Sequence, residues 1–186
     1  TVNIAQLGVR LVQLEPGLQL VLHLMLLIAF GIKAAVFPLS AWLPDSYPTA
    51  PAPVTAVFSG LLTKVGVYAI IRTEVLLFPG NRLDTALLIV ALATMVVGIL
   101  GAVAQDDIKR MLSFTLLSHI GFMVWGVALS SVTGLSAAIF YVVHHITAQT
   151  ALFLVAGLIE HRGGTTSLTR LGSLARLAPA VAVLYF

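Results

Sequence analysis

Residues 30–72 read FGIKAAVFPLSAWLPDSYPTAPAPVTAVFSGLLTKVGVYAIIR. This stretch places Lys33 in an apolar run that Pro38 interrupts, crosses a proline-rich turn, and enters a second apolar run that carries Lys64. A charged side chain at the centre of a membrane helix costs roughly 2.5–3.5 kcal/mol on insertion scales, and such residues are usually functional. The two lysines therefore predict two membrane helices, each with a charged side chain that has a role in function.

The composition of the rest of the chain is that of an integral membrane protein. The 186 residues are 59% hydrophobic and 9% charged, with a mean hydropathy of +1.05, whereas soluble domains carry about 25% charged residues. There is no cysteine, which excludes disulfides and thiolate metal sites. A net charge of +3 fits basic loops beside a membrane and does not suggest nucleic acid as a partner.

Segment lengths predict an all-α polytopic bundle. A spanning helix needs about 20 apolar residues. Five spans are predicted, over residues 18–39, 54–78, 85–104, 111–130 and 135–159, and a sixth begins near residue 174. Residues 1–16 are predicted to be an interfacial connector and residues 17–186 a transmembrane domain. The sequence begins without methionine and stops inside an apolar run, so we expect a piece of a longer polypeptide that is cut at both ends.

The basic residues of the short loops predict the orientation of the bundle. One side carries Lys109, Arg110, Arg162, Arg170 and Arg176, and the other carries Arg10, Arg72 and Arg82. The excess predicts that the loops at residues 42–53 and 106–110 are cytoplasmic.

Lys33 lies just before Pro38 in the first span. Proline lacks a backbone donor and clashes with the carbonyl four residues earlier, which belongs to Ala34. The helix is therefore predicted to kink or break beside Lys33. Broken backbone inside a membrane is tolerated only against protein or a water-filled cavity, so the sequence predicts a hydrated site at Lys33. The alternative is a lysine that extends to the interface.

Lys64 is flanked by Gly60 and Gly66 in the second span. Small residues allow helices to approach closely, which favours burial of Lys64 within the bundle. The alternative is again an ammonium group that reaches the membrane surface from a helix end.

The fifth span contains His144, His145 and Gln149. His145 and Gln149 are four residues apart and share a helix face, so they are candidates for a shared water or a proton path. Imidazole passes protons through its two nitrogens near neutral pH. A structural, hydrogen-bonded histidine is the alternative. The adjacent histidines point about 100° apart on a helix and no carboxylate is close in sequence, so no metal site is predicted.

Four further ionisable residues lie within the spans or at their ends. His119, in the fourth span, either extends the hydrophilic row or is a packing histidine, and His23 in the first span shows no informative pattern. Glu74 and Glu160 lie at span ends. An acidic partner for the lysines is therefore either Glu74, reaching inward, or a residue outside this sequence. There is no glycine fingerprint for a dinucleotide and no cysteine for an iron–sulfur cluster, so no cofactor is predicted.

Three segments together resemble one membrane-protein family. They are residues 31–72, residues 106–123 (DDIKRMLSFTLLSHIGFM) and residues 140–162 (FYVVHHITAQTALFLVAGLIEHR). The resemblance is to the antiporter-like membrane subunits shared by respiratory complex I and the Mrp-type cation/proton antiporters, and it is strongest to the D-type subunits of the Mrp Na⁺/H⁺ antiporters. It implies a bacterial cytoplasmic membrane, an inverted-repeat fold with broken helices, and other membrane subunits as partners.

The resemblance also implies roles for individual residues. Lys33 matches the lysine of the broken helix at the centre of the proton channel, Lys64 the connecting lysine of the next helix, and His145 a histidine of the broken helix opposite. The family usually has a lysine where this chain has Gln149, which cannot carry a charge. His144, Gln149 and His119 are then secondary candidates for the proton path.

Three functions remain open at this point. The first is an ion-translocating subunit of a Na⁺ or K⁺/proton antiporter, with a proton path through Lys33, Lys64, water and His145. The second is a proton-pumping membrane subunit of an NADH:quinone oxidoreductase or a related membrane hydrogenase, in which partner subunits hold the redox centres. The third is a structural membrane subunit that has lost transport, for which Gln149 is the supporting feature.

Overall fold

The computed structural model describes residues 3–79 and 83–171, together with residues 179 and 183. In this part of the chain the secondary structure is helical apart from one isolated bridge between Asp107 and Ser167. The helices are α1 (Ile4–Leu11), α2 (Pro16–Ala34), α3 (Trp42–Ser46), α4 (Ala52–Val57), α5 (Thr63–Arg72), α6 (Asp84–Val103), α7 (Ile108–Ala128) and α8 (Val132–Gly163). Two π-helical turns, Phe58–Leu62 and Thr73–Leu77, join α4 to α5 and extend α5.

Five helical segments in the described residues are long and apolar enough to cross a membrane. They are Pro16–Ala34, Ala52–Leu77, Asp84–Val103, Ile108–Ala128 and Val132–Gly163. The five predicted spans are thereby confirmed, with differences at their ends. The predicted sixth span, near residue 174, and the loop residues 80–82 lie outside the described residues.

The first span is shorter than predicted. The helix ends at Ala34 and not at residue 39, because Ala35 adopts a left-handed conformation (φ 62°, ψ 48°). The amide of Val36 then bonds to the carbonyl of Gly31 at 3.0 Å, which is the Schellman closure of a helix end. The predicted break beside Lys33 is confirmed, but the chain leaves the helix before Pro38 is reached.

Helix α7 is the centre of the bundle and the most deeply buried of the spans. It packs antiparallel to α6, where small residues bring the two backbones together. A Cβ on Gly98 would lie 2.9 Å from the Cβ of Ser118, and one on Gly121 would lie 2.8 Å from the carbonyl oxygen of Ala91. Because α7 also contacts α3, α5 and α8, side chains from different spans meet around its middle.

The loops at residues 42–53 and 106–110 lie at the same end of the bundle, as the sequence predicts. Arg110, at the start of α7, bonds Asp45 of α3 at 3.2 Å. Asp107 caps α7 by accepting from the amide of Arg110 at 2.9 Å, as expected for an acidic residue before a span. At the same end Lys109 pairs with Glu160 of α8 at 2.6 Å. We call this end the Asp45 face.

Candidate functional site

The break in the first span lies level with the middle of the neighbouring span. Ala34, the last residue of α2, packs on Gly66, where a Cβ would lie 2.9 Å from the Cβ of Ala34. Gly66 lies near the middle of the segment Ala52–Leu77. Helix α2 therefore ends beside the middle of that segment, and residues 35–51 continue the chain to the Asp45 face.

Side chains of α3 and α6 bond to backbone groups beside the break. The indole of Trp42 donates to the carbonyl of Ile32 at 3.1 Å, and the amide of Phe37 donates to the hydroxyl of Thr94 in α6 at 3.0 Å. Unpaired backbone groups inside a membrane each cost several kcal/mol. These two bonds hold the interrupted helix in a defined conformation.

Lys33 lies in the last turn of α2, beside the break, and its side chain is exposed on the outside of the described bundle. The structure does not bring it into the buried cluster that contains Lys64 and His145. Its predicted place in the proton path stays a prediction.

Lys64 is buried, with 4% of its surface exposed, as predicted from its flanking glycines. It follows the π-helical turn Phe58–Leu62, and its ammonium donates to the carbonyl of Ser59 at 2.5 Å. The hydroxyl of Tyr47 donates to the preceding carbonyl, that of Phe58, at 3.2 Å. Burial raises the pKa of the Tyr47 phenol, which keeps that donor protonated. Single π-helical turns occur frequently at functional sites.

Two histidines meet beside Lys64. His145 of α8 is buried, and its ring lies 4.7 Å from the ring of His119 in α7, centroid to centroid. His119 Nδ1 lies 2.5 Å from the hydroxyl of Tyr141. Electrostatic interactions link Lys64 to both imidazoles. We call Lys64, His119, Tyr141 and His145 the central cluster.

The central cluster contains unused hydrogen-bonding capacity. Both ring nitrogens of His145 are buried without a hydrogen-bond partner. A buried polar group that lacks a partner costs about 1–3 kcal/mol, and a bridging water removes that cost where the site is polar and roomy. The arrangement is suited to proton transfer, since imidazole and phenol groups both donate and accept.

The comparisons with known proteins agree with this architecture. The family described as NADH:quinone oxidoreductase/Mrp antiporter, TM, matches residues 2–186. The chain belongs to this family. It is therefore a multi-pass membrane protein of the antiporter-like type.

Two relatives and one solved structure illustrate the range of this family. The chain is 44% identical to the D-type subunit of the Na(+)/H(+) antiporter of Alkalihalophilus pseudofirmus, covering 100% of this chain and 38% of the relative. It is 36% identical to NAD(P)H-quinone oxidoreductase chain 4 2 of Microcystis aeruginosa, over 100% of this chain and 34% of the relative. A chain of the Mrp complex from Dietzia sp. superposes with a TM-score of 0.92 at 43% identity, over 100% of this chain and 35% of that one. The chain thus spans less than two fifths of the length of these relatives.

One expectation drawn from the family resemblance is wrong for the described residues. The resemblance implies a broken helix at His145, but α8 runs without interruption from Val132 to Gly163. No proline occurs in this helix, and its glycines lie at positions 134, 157 and 163, away from His145. Within the described residues, the interrupted span is the first one, beside Lys33.

The other candidates on α8 divide between the core and the surface. His144 is exposed whereas His145 and Gln149 are buried on one face, in agreement with the predicted helical spacing. Gln149 donates to the carbonyl of Leu112 in α7 at 3.0 Å, so its amide joins two helices. Within the part of the chain that the structure describes, no group of three or more His, Cys, Asp or Glu side chains is arranged to hold a metal ion.

One buried pair is not predicted by the sequence. His23 Nε2 of α2 lies 2.6 Å from Glu74 Oε1, and both side chains are fully buried. Glu74 is one of the two predicted acidic partners for the lysines, but it pairs with this histidine. The two residues are 51 positions apart and in different helices, so no local pattern connects them.

Proposed function

We propose that this chain is part of the ion-translocating subunit of a multi-subunit Na⁺ or K⁺/proton antiporter. The observation that carries the proposal is the central cluster: a buried lysine and two histidines from three different spans meet in the middle of a membrane bundle. Ionisable residues at that depth mark proton relays or ion pathways. The relatives that are named as Na(+)/H(+) antiporter subunits support the cation/proton chemistry.

In this mechanism Lys64 and the histidines act as successive proton carriers. The ammonium of Lys64 releases a proton to water or to His145, and His119 and Tyr141 extend the row toward α7. The unpartnered nitrogens of His145 leave it free to accept a proton on one side and release one on the other. Gln149 holds α8 against α7 and carries no charge.

Lys33 is proposed to act at the boundary between this bundle and neighbouring transmembrane protein. Its side chain is exposed near mid-membrane depth, where contact between an ammonium group and lipid tails is costly. We infer that this surface faces further helices of the subunit or of a partner, and that these provide the acidic group. Movement of that group toward or away from Lys33 would change the charge that Lys64 experiences.

The test uses the complete subunit with its partner subunits in everted membrane vesicles. A fluorescent dye reports the pH gradient, and Na⁺ or K⁺ is added. We expect a collapse of the gradient that is lost in Lys64→Ala and in Lys33→Ala. Arg162→Ala, which removes an exposed charge at the end of α8, is the matched control. Normal collapse in both lysine variants would show that the proposed proton path is wrong.

The same experiment separates the second candidate, a redox-driven proton pump. The specific observation in its favour is the 36% identity to a quinone oxidoreductase chain over the whole length of this sequence. In that case the pH gradient would not respond to Na⁺ or K⁺. The vesicles would instead acidify when NADH or ferredoxin is added, and Lys64→Ala would reduce this acidification.

A further inference from the structure

A second pair of ionisable side chains lies away from the central cluster, at the other end of α5. Glu74 belongs to the π-helical turn Thr73–Leu77 and His23 to the middle of α2. Glu74 follows Lys64 by about 15 Å of helix rise. The ring of Phe78 stacks on His23, with centroids 4.2 Å apart and planes at 10°.

The pair is fully buried but only half satisfied. His23 Nε2 and Glu74 Oε1 are 2.6 Å apart, whereas His23 Nδ1 and Glu74 Oε2 have no hydrogen-bond partner. A buried ion pair that serves stability needs further hydrogen bonds on its remaining atoms to offset desolvation. The two unpartnered atoms leave hydrogen-bonding capacity that the described protein groups do not use.

A cavity borders Glu74 at the end of the bundle where α7 joins α8. It has a volume of about 200 Å³, and its wall includes Glu74, Pro79, Val127, Ser130 and Ser131, which is room for several water molecules. Residues 129–131 connect the end of α7 to the start of α8. The cavity thus opens at the face opposite the Asp45 face.

The described elements around the pair carry a small number of other charged residues. The turn Thr73–Leu77 contacts α1, α2 and α5. Among the described residues, the other charged side chains of these helices are Arg10 of α1 and Lys33 of α2, which are exposed, and Lys64 and Arg72 of α5. Lys64 is about 15 Å of helix rise from Glu74, and the guanidinium of Arg72 lies 5.8 Å from the centre of the Tyr68 ring. Among the described residues that line the cavity Glu74 is the ionisable one, and His23 is joined to it through the bond to Glu74 Oε1.

We propose that Glu74 and His23 form a proton-exchange site that connects the transport path to the aqueous phase at the face opposite Asp45. A hydronium ion in the cavity gives its proton to Glu74 Oε2 and leaves as water, while the bond between Oε1 and Nε2 holds the pair together. The reverse step returns the proton. This proposal rests on the proton transport proposed above, for which it supplies the exchange site at one end.

The first test begins with the unaltered complex. Dicyclohexylcarbodiimide reacts with protonated carboxyl groups in apolar surroundings, and mass spectrometry measures the labelled fraction of Glu74 in the intact complex over a series of pH values. We expect labelling to rise as the pH falls, and His23→Gln to shift that profile. Labelling that is absent, or that does not change with pH, overturns the proposal.

The second test measures transport in the same vesicles. Glu74→Gln keeps the size of the side chain but cannot carry the proton, so we expect proton exchange to fall roughly 100-fold, as on loss of a positioned proton-transfer group. Glu15→Gln, which removes an exposed carboxylate just before α2, should leave the rate unchanged. A normal rate in a fully assembled Glu74→Gln complex overturns the proposal. If this variant does not assemble, the labelling of the unaltered complex decides.

The two proposals can fail separately. A complex that moves no protons with Na⁺, K⁺ or a redox donor, yet labels at Glu74 in a pH-dependent way, would support the exchange site and overturn the proposed function. A complex that transports protons while Glu74 labelling stays constant with pH would support the proposed function and overturn the exchange site.

Discussion

The ammonium of Lys64 donates a hydrogen bond to the backbone carbonyl of Ser59, five residues earlier in the same transmembrane segment, at 2.5 Å. This acceptor lies in the π-helical turn Phe58–Leu62. Such turns occur frequently at functional sites. Within the described residues, this membrane lysine is thereby held without an acidic partner. Its described hydrogen-bond partner is a neutral carbonyl, so the described contacts do not fix the ammonium in an ion pair.

Replacing Lys64 by arginine tests whether release of that proton matters. Arginine keeps the positive charge and the donor capacity but does not deprotonate in proteins. We expect Lys64→Arg to assemble and to lose proton exchange, measured by the dye assay in vesicles. The control is the opposite change at an exposed site, Arg162→Lys, which should have no effect. Normal exchange in Lys64→Arg would mean that Lys64 supplies only charge.

Tyr141 is expected to keep His119 in position for proton transfer. Its hydroxyl lies 2.5 Å from His119 Nδ1, and removing one partner of a buried hydrogen bond costs about 1–3 kcal/mol. We expect Tyr141→Phe to slow exchange and change its pH profile while the protein still assembles. Tyr68→Phe, at an exposed tyrosine, is the control. An unchanged pH profile in Tyr141→Phe would make His119 a packing residue.

Gln149 is expected to matter for helix packing more than for transport. Its amide donates to the carbonyl of Leu112, and hydrogen bonds between membrane helices contribute about 0.6 kcal/mol on average. Gln149→Met should therefore lower thermal stability in detergent slightly and leave proton exchange close to normal, whereas His145→Gln should abolish exchange. Equal losses of exchange in both variants would place Gln149 in the proton path.

The features that depend on neighbouring residues along the chain are predictable from the sequence. Span lengths follow from apolar runs and the burial of Lys64 from Gly60 and Gly66. Pro38 predicts a break in the first span but not its position at Ala35. The features that depend on contacts between helices are not predictable in the same way. His23 and Glu74 meet across 51 residues. The outward position of Lys33 depends on the rotation of α2 against α5, which hydrophobic patterning does not specify in a helix that is apolar on most sides.

The left-handed residue that ends α2 provides the last prediction. Ala35 has φ 62° and is fully buried, and a non-glycine residue in this conformation costs roughly 1–2 kcal/mol. Ala35→Gly removes the Cβ that causes this cost, so we expect the thermal unfolding temperature of the detergent-solubilised complex to rise. Ala34→Gly, one position earlier, should lower it, because glycine within a helix costs about 0.5–1 kcal/mol relative to alanine and the Ala34 Cβ packs at the Gly66 contact. Opposite shifts at adjacent alanines would identify residue 35 as the point where the helix ends. If the two variants shift the unfolding temperature in the same direction, strain at Ala35 does not set the position of the break.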